Sequence, residues 1–246
     1  MTKNTSKTKP LGRTYRQRNL HSQVVREIGS RIVRGFFKPM DVLPDEESMG
    51  NQLGVSRTVV REAIKVLAAK GLVETRTRRG TLILHDRFWN RLDPDVLSWI
   101  DEAGHDAQFL RQLTEMRKIV EPAAASLAAA RADESEIASI AEACANMKGN
   151  LANEQVYAEA DTNFHCTILE ASHNEFLKPI GNAIRAALRA SMKVTKPTDH
   201  SNQSLPLHLE ILNAIRGRDP EAAAKAMQRH LEYTWKRIEK ELDASH

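Results

Sequence analysis

"LPDEESMGNQLGVSRTVVREAIKVLAAKGLVETRTRRGT", residues 43–81, decides the fold. Pro44 suits the first position of a helix, and Asp45, Glu46 and Glu47 suit its first turn, where carboxylates complement the helix dipole. That short helix ends near Gly54. A second begins at Ser56, whose hydroxyl can cap it, buries Val60, Ile64 and Leu67, and stops with Lys70 before Gly71. Its other face carries Arg57, Thr58, Arg61 and Lys65. Two short helices joined by a tight "LGVS" turn describe a helix-turn-helix, the second helix of which enters the major groove of DNA. "LVETR" and "TLILH" follow as strands around "TRRG", a hairpin with a basic tip. The expected unit is a winged helix-turn-helix.

Upstream, Val24, Val25, Ile28, Ile32 and Val33 recur at helical spacing and Gly35 stands where a glycine would end the helix. Ordered sequence therefore starts near His21, and residues 1–20, polar, basic and aperiodic, are expected to form a disordered arm. The formal charge of +4 conceals an asymmetry: residues 1–80 hold 17 Lys+Arg against 7 Asp+Glu, whereas the remainder holds 19 against 25. A basic front and an acidic back suggest a polyanion-binding module joined to something with another task. The two cysteines form no CxxC pair and no disulfide framework, so a reduced, cytoplasmic setting is expected. No apolar run reaches the roughly 18 residues a membrane span needs, and no apolar segment follows the basic N-terminus as in a signal peptide. The expectation is a protein neither exported nor membrane-spanning.

Arginine forks bond guanine edges or phosphates, hydroxyls reach either, and wing arginines can enter the minor groove. The same stretch resembles the GntR family of regulators, through "LPDE", the "GVSR" turn, "REA" and "LAAKGL". The resemblance implies double-stranded operator DNA as a partner. It places Ser56, Arg57, Thr58 and Arg61 on DNA-contacting positions, and Arg79 and Gly80 on the wing tip. One departure, Glu47 where the family pattern has a DNA-contacting arginine, points to a different operator.

The expected DNA-binding domain spans residues 21–86, and residues 87–105 form a linker in which Asp93-Pro94 opens a short helix. From Ala107 strand signals nearly vanish. "FLRQLTEMRKIVEPAAASLAAARA" puts Leu110, Leu113, Ile119, Val120 and Leu127 on broadly helical spacing, with Pro122 as a kink; a helix capped by Asp133 and four more follow. The fold class is mainly α, an N-terminal winged helix-turn-helix plus a C-terminal all-α bundle over residues 106–242.

In "ADTNFHCTIL", Asp161 and His165 lie at i and i+4 on one helix face. Alone, the pair fits a surface accident, half a metal site or an acid/base pair. His208 in "LPLHLEILNAI" and His230 in "AMQRHLEYTW" sit among apolar helical residues, and their helices can converge on the carboxylate. The spacing resembles the helical FCD effector domain of the FadR-like GntR branch, from about Leu92 to Trp235. That resemblance implies a metal site of Asp161, His165, His208 and His230. Three imidazoles and one carboxylate suit a divalent ion such as Zn, Ni or another first-row metal.

"TEMRKIVEP" also matches that branch, which implies that Arg117 points into the cavity and clamps a carboxylate effector; otherwise Arg117 and Glu121 read as a surface ion pair. Asn182 and Arg185 in "IGNAIRAAL" are further effector-binding candidates. "RFWNRLDPDVLSWI" and "MRKIVEPAAASLAAARA" look most similar to sugar-acid-responsive members such as galactonate-operon repressors. No HExxH, GxSxG or GxxxxGK occurs, so an enzyme is not expected. The reading is a homodimeric repressor on a pseudo-palindromic operator, released by a small carboxylate. Three alternatives stay open: the metal itself as signal, a DNA-architectural protein, and a metal-dependent hydrolase fused to a DNA-binding module.

Overall fold

The computed structural model describes residues 15–104, 107–195 and 201–244. They form ten α-helices and one two-stranded sheet. Two compact units divide between Asn90 and Arg91.

In the first unit α1 (Tyr15–Val33) starts six residues inside the stretch expected as an arm; residues 1–14 of that arm lie outside the described residues. Gly35, with φ +78°, closes α1 as expected, and the Phe36 amide reaches back to the Arg31 carbonyl at 3.0 Å. α2 (Glu46–Leu53) begins two residues later than the proline suggests. Asp45 is the cap, its Oδ1 accepting from the amides of Glu47 and Ser48, and Pro44 precedes the helix. A carboxylate that satisfies two orphan amides defines the first turn more strongly than proline's fixed φ.

α3 (Arg57–Ala69) starts at Ser56, whose Oγ accepts from the Val59 amide, and buries Val60, Ala63, Ile64 and Leu67 against Val24, Val25, Ile28 and Ile32 of α1. β1 (Val73–Arg76) and β2 (Gly80–Ile83) pair antiparallel with Arg76 opposite Gly80. Arg78 (φ +66°) and Gly80 (φ +80°) turn the chain at the tip. Val42 adds a bridge to Leu82, widening the wing's base.

The second unit is wholly helical among its described residues: α4 (Pro94–Ala103), α5 (Ala107–Arg131), α6 (Glu134–Gly149), α7 (Glu154–Ala171), α8 (Ile180–Thr195), α9 (Ser201–Arg216) and α10 (Pro220–Ala244). Asp93 caps α4 with Pro94 at its start, and Asp133 and Glu136 form a capping box on α6. α5 packs against α10, α7, α8 and α9, so it runs through the middle of the bundle. Its buried face keeps the expected Leu110 and Leu113 but departs from expectation further along. Ile119 is 69% exposed, while Leu110, Thr114, Arg117, Glu121, Ala125 and Ala128 point inward. The core around them is built from Ala128, Ile140, Met147, Phe164, Ile168, Ile211, Ile215, Met227 and Leu231.

Candidate functional site

The candidate DNA-reading face stands on the two capped helix starts. Ser56, Arg57, Thr58 and Arg61 are all solvent-exposed on the first turns of α3, opposite the buried stripe. Arg57 Nε donates to Glu46 Oε2 at 2.8 Å, across the turn between α2 and α3. Gly50 permits that closeness, since a Cβ there would lie 2.9 Å from the Val55 carbonyl oxygen. Arg79 and Gly80 are exposed at the wing tip, and the positive φ of Gly80 with Val42 Cγ1 3.0 Å from a notional Cβ explains why a glycine stands there. Glu47, exposed in the first turn of α2, leaves the acidic side chains Asp45, Glu46 and Glu47 beside Arg57, and they raise its pKa, chiefly through Glu46.

In the helical unit Asp161 and His165 from α7, His208 from α9 and His230 from α10 come together, all buried, with one ligand atom from each lying within 4.8 Å of the others. His208 Nε2 stands 2.8 Å and His165 Nε2 3.6 Å from Asp161 Oδ1. His208 Nε2 and His230 Nδ1 are nonetheless buried without a hydrogen bond of acceptable geometry. Buried polar atoms left this way are costly, and atoms that converge without aligning on one another are what a shared cation requires. Phe164, fully buried, packs edge-on against His165 and His208 and holds both rings.

Two outer ring nitrogens also have close polar neighbours, although His165 Nδ1 and Glu121 Oε2 likewise lack hydrogen-bond geometry. His208 Nδ1 donates to the Ser204 carbonyl at 3.0 Å, which turns Nε2 toward Asp161. His165 Nδ1 is 2.5 Å from Glu121 Oε2, and Arg117 Nε donates to Glu121 Oε1 at 2.5 Å. Arg117 and Glu121 are therefore no surface pair: their side chains are 1% and 0% exposed. Burial disfavours the Glu121 carboxylate, yet Arg117 and His165 overcome it and bring its pKa to about 2. Burial also works against charge on Asp161, and the contacts with His165 and His208 hold it well below the carboxylate range. His230 is pushed far down by burial and by its two imidazole neighbours, so it offers a neutral ring. Burial lowers the His165 pKa, but Glu121 and Asp161 outweigh it and raise the net value, so a cation binding there displaces a proton. The donor set fits a divalent metal ion.

Two family models match the chain, one over each unit. The sequence model of the bacterial regulatory proteins of the gntR family matches residues 20–83, and that of the FCD domain matches residues 112–233. The galactonate operon transcriptional repressor of Escherichia coli (strain K12) is 35% identical over 210 residues, covering 85% of this chain and 92% of that protein. The chain belongs to the GntR family of transcriptional regulators, with an FCD domain. This GntR regulator is also 30% identical over 206 residues to the HTH-type transcriptional regulator LutR of Bacillus subtilis (strain 168), covering 81% of this chain and 92% of LutR. Among solved structures the Listeria monocytogenes protein Lar superposes with TM-score 0.63 at 19% identity, covering 96% of this chain and 99% of Lar, a likeness of fold. Relatives and domains are those of transcriptional regulators, not enzymes.

The regulator's other candidate residues divide. Arg117, Asp161 and His230 line one small cavity of about 40 Å³ with Tyr157, Ser191 and Thr234. Arg185 does not join them. It faces a separate cleft of about 490 Å³ between α7 and α8, with Glu159, Asn163 and Arg189, while Met192 borders both spaces. Asn182 is half-buried on α8 and lines neither space. Glu121, Ser204 and Tyr157 are the participants that sequence reasoning missed; for Glu121 the signal was present as its i, i+4 relation to Arg117.

Proposed function

We propose that this GntR repressor senses a small hydroxycarboxylate, such as a sugar acid, in the metal-containing cavity of its FCD domain. The carrying observation is the buried Arg117 guanidinium beside the Asp161, His165, His208 and His230 cluster, in one cavity with the hydroxyls of Tyr157, Ser191 and Thr234. Asp161 and the three imidazoles would hold a Zn, Ni or similar ion, and the bound ion would supply a Lewis-acidic position for a carboxylate. Glu121 keeps His165 oriented and restrains Arg117, while the hydroxyls recognise the ligand's own hydroxyls. The likeness to a galactonate operon repressor supports a sugar acid.

A homodimer on a pseudo-palindromic operator would double the base readout of a short recognition helix. Ligand occupancy changes DNA affinity only so far as the ligand binds the two functional states unequally. A second reading, the ion itself as signal, is favoured by one observation: the cavity of about 40 Å³ accommodates only a few waters, each needing roughly 10–15 Å³, and Arg117 is already engaged by Glu121.

Thermal unfolding of metal-loaded protein across D-galactonate, D-gluconate and simpler hydroxy acids separates them. A ligand at a hundred times its Kd stabilises by about 2.7 kcal/mol, which should be lost when the metal is chelated. No stabilisation by any of these acids, together with DNA binding that follows chelation alone, would favour the ion as signal.

A further inference from the structure

Arg57 is held before DNA arrives. Its Nε donates to Glu46 Oε2 at 2.8 Å, although its side chain is 70% exposed; Glu46 is only 25% exposed. Both ends of this contact stand on rigid backbone. Glu46 is the first residue of α2, whose start is fixed by Asp45 through the amides of Glu47 and Ser48 and the hydroxyl of Ser48. Arg57 is the first residue of α3, whose start is fixed by Ser56. The Val55 amide donates to the Gly50 carbonyl at 2.9 Å, and the absence of a Cβ on Gly50 lets the two helix starts approach.

The contact uses one edge of the guanidinium. With Nε occupied, the edge carrying the two terminal nitrogens stays free, and two parallel N–H groups match the O6 and N7 acceptors of guanine. Arg61, one turn further along the same exposed face, has no hydrogen bond or ion pair with another described residue. A loose arginine serves phosphates, which accept many rotamers; a held one serves a base edge, which accepts few.

We propose that Glu46 is a positioning residue for operator readout: it orients Arg57 so that the terminal guanidinium edge faces a guanine. An arginine already immobilised loses less freedom on binding the correct base, so the specific complex gains. The Glu46 carboxylate also repels phosphates, which weakens sequence-independent binding. Both effects raise the ratio of specific to nonspecific affinity, and neither raises affinity in general.

The test uses the full chain and three duplexes at fixed salt: one enriched by the wild type from a random library, a scrambled version, and the enriched duplex with 7-deazaguanine in place of guanine. Glu46→Gln should weaken binding to the enriched duplex by roughly 3–10-fold while binding to the scrambled duplex holds or strengthens. Its sensitivity to 7-deazaguanine should shrink, and Glu46→Gln should alter discrimination no further in an Arg57→Ala background. Glu46→Asp keeps the charge but is too short to reach Nε, so it should lose the same 7-deazaguanine sensitivity. An equal loss on both natural duplexes, an undiminished effect in the Arg57→Ala background, or full sensitivity in Glu46→Asp would overturn the assignment.

Discussion

Replacing Glu121 with alanine should be among the most destabilising single changes in the helical unit. The carboxylate is fully buried and faces two basic groups, with Arg117 Nε at 2.5 Å and His165 Nδ1 at 2.5 Å. Removing it leaves the Arg117 guanidinium, 1% exposed, without its main counter-charge. Breaking a buried pair from one side costs on the order of 3–5 kcal/mol, most of it the desolvation of the remaining charge. For a unit of this size that corresponds to a fall in unfolding midpoint of roughly 6–20 °C. Circular dichroism on metal-free protein measures it without interference from bound ion. The double variant Arg117→Met/Glu121→Leu should recover most of the loss, because an apolar pair of similar volume leaves no buried charge. If Glu121→Ala costs under about 1 kcal/mol, or the double variant is no better than the single one, the pair is not the buried electrostatic unit described.

Gly50→Ala should destabilise the winged unit and weaken DNA binding together, since the new Cβ would sit 2.9 Å from the Val55 carbonyl oxygen and force α2 and α3 apart; unchanged binding in an anisotropy titration would count against that close approach. Cys144 and Cys166 should resist iodoacetamide at pH 8 in the folded protein. Burial pushes their thiols up to about 12 and about 11, so roughly one in a thousand or fewer is a thiolate at that pH; rapid native-state labelling would refute this. Acidification should expose the contribution of Glu121: with a folded pKa of about 2 against an ordinary value of 4.5, its stabilisation is complete above pH 4.5 and disappears as the pH falls through about 2. A metal-free unfolding midpoint that is flat across that window, after correction with Glu121→Ala, would contradict it.

The winged unit was legible because its signals are local. Ser56 caps, Gly35 and Gly71 break, and Val60, Ile64 and Leu67 keep one helical period, each within a few residues of the feature it determines. The same locality explains the small error at α2, where Asp45 and Pro44 both favour a helix start and only the capping geometry decides between them. The bundle was less legible. In α5 hydrophobicity points to Ile119, whereas the buried face runs through Thr114, Arg117 and Glu121, because a polar centre inside a bundle inverts the rule that apolar residues face inward. Helical spacing pairs Asp161 with His165 on α7, but His208 and His230 lie on two helices distant in sequence, so no periodicity ties them to that pair; the family pattern did, and the structure brings the four together. Arg185 shows the opposite case, a residue whose rotation about α8 placed it in a different cleft and could not be read from spacing alone.

Calorimetric titration of Zn²⁺ and Ni²⁺ into metal-free protein tests the central claim, that the buried cluster is a metal centre, most directly. One tight site per chain, with proton release and with binding abolished in His208→Ala/His230→Ala, is the predicted result. No tight binding of either ion, or equal binding by the double variant, would contradict it.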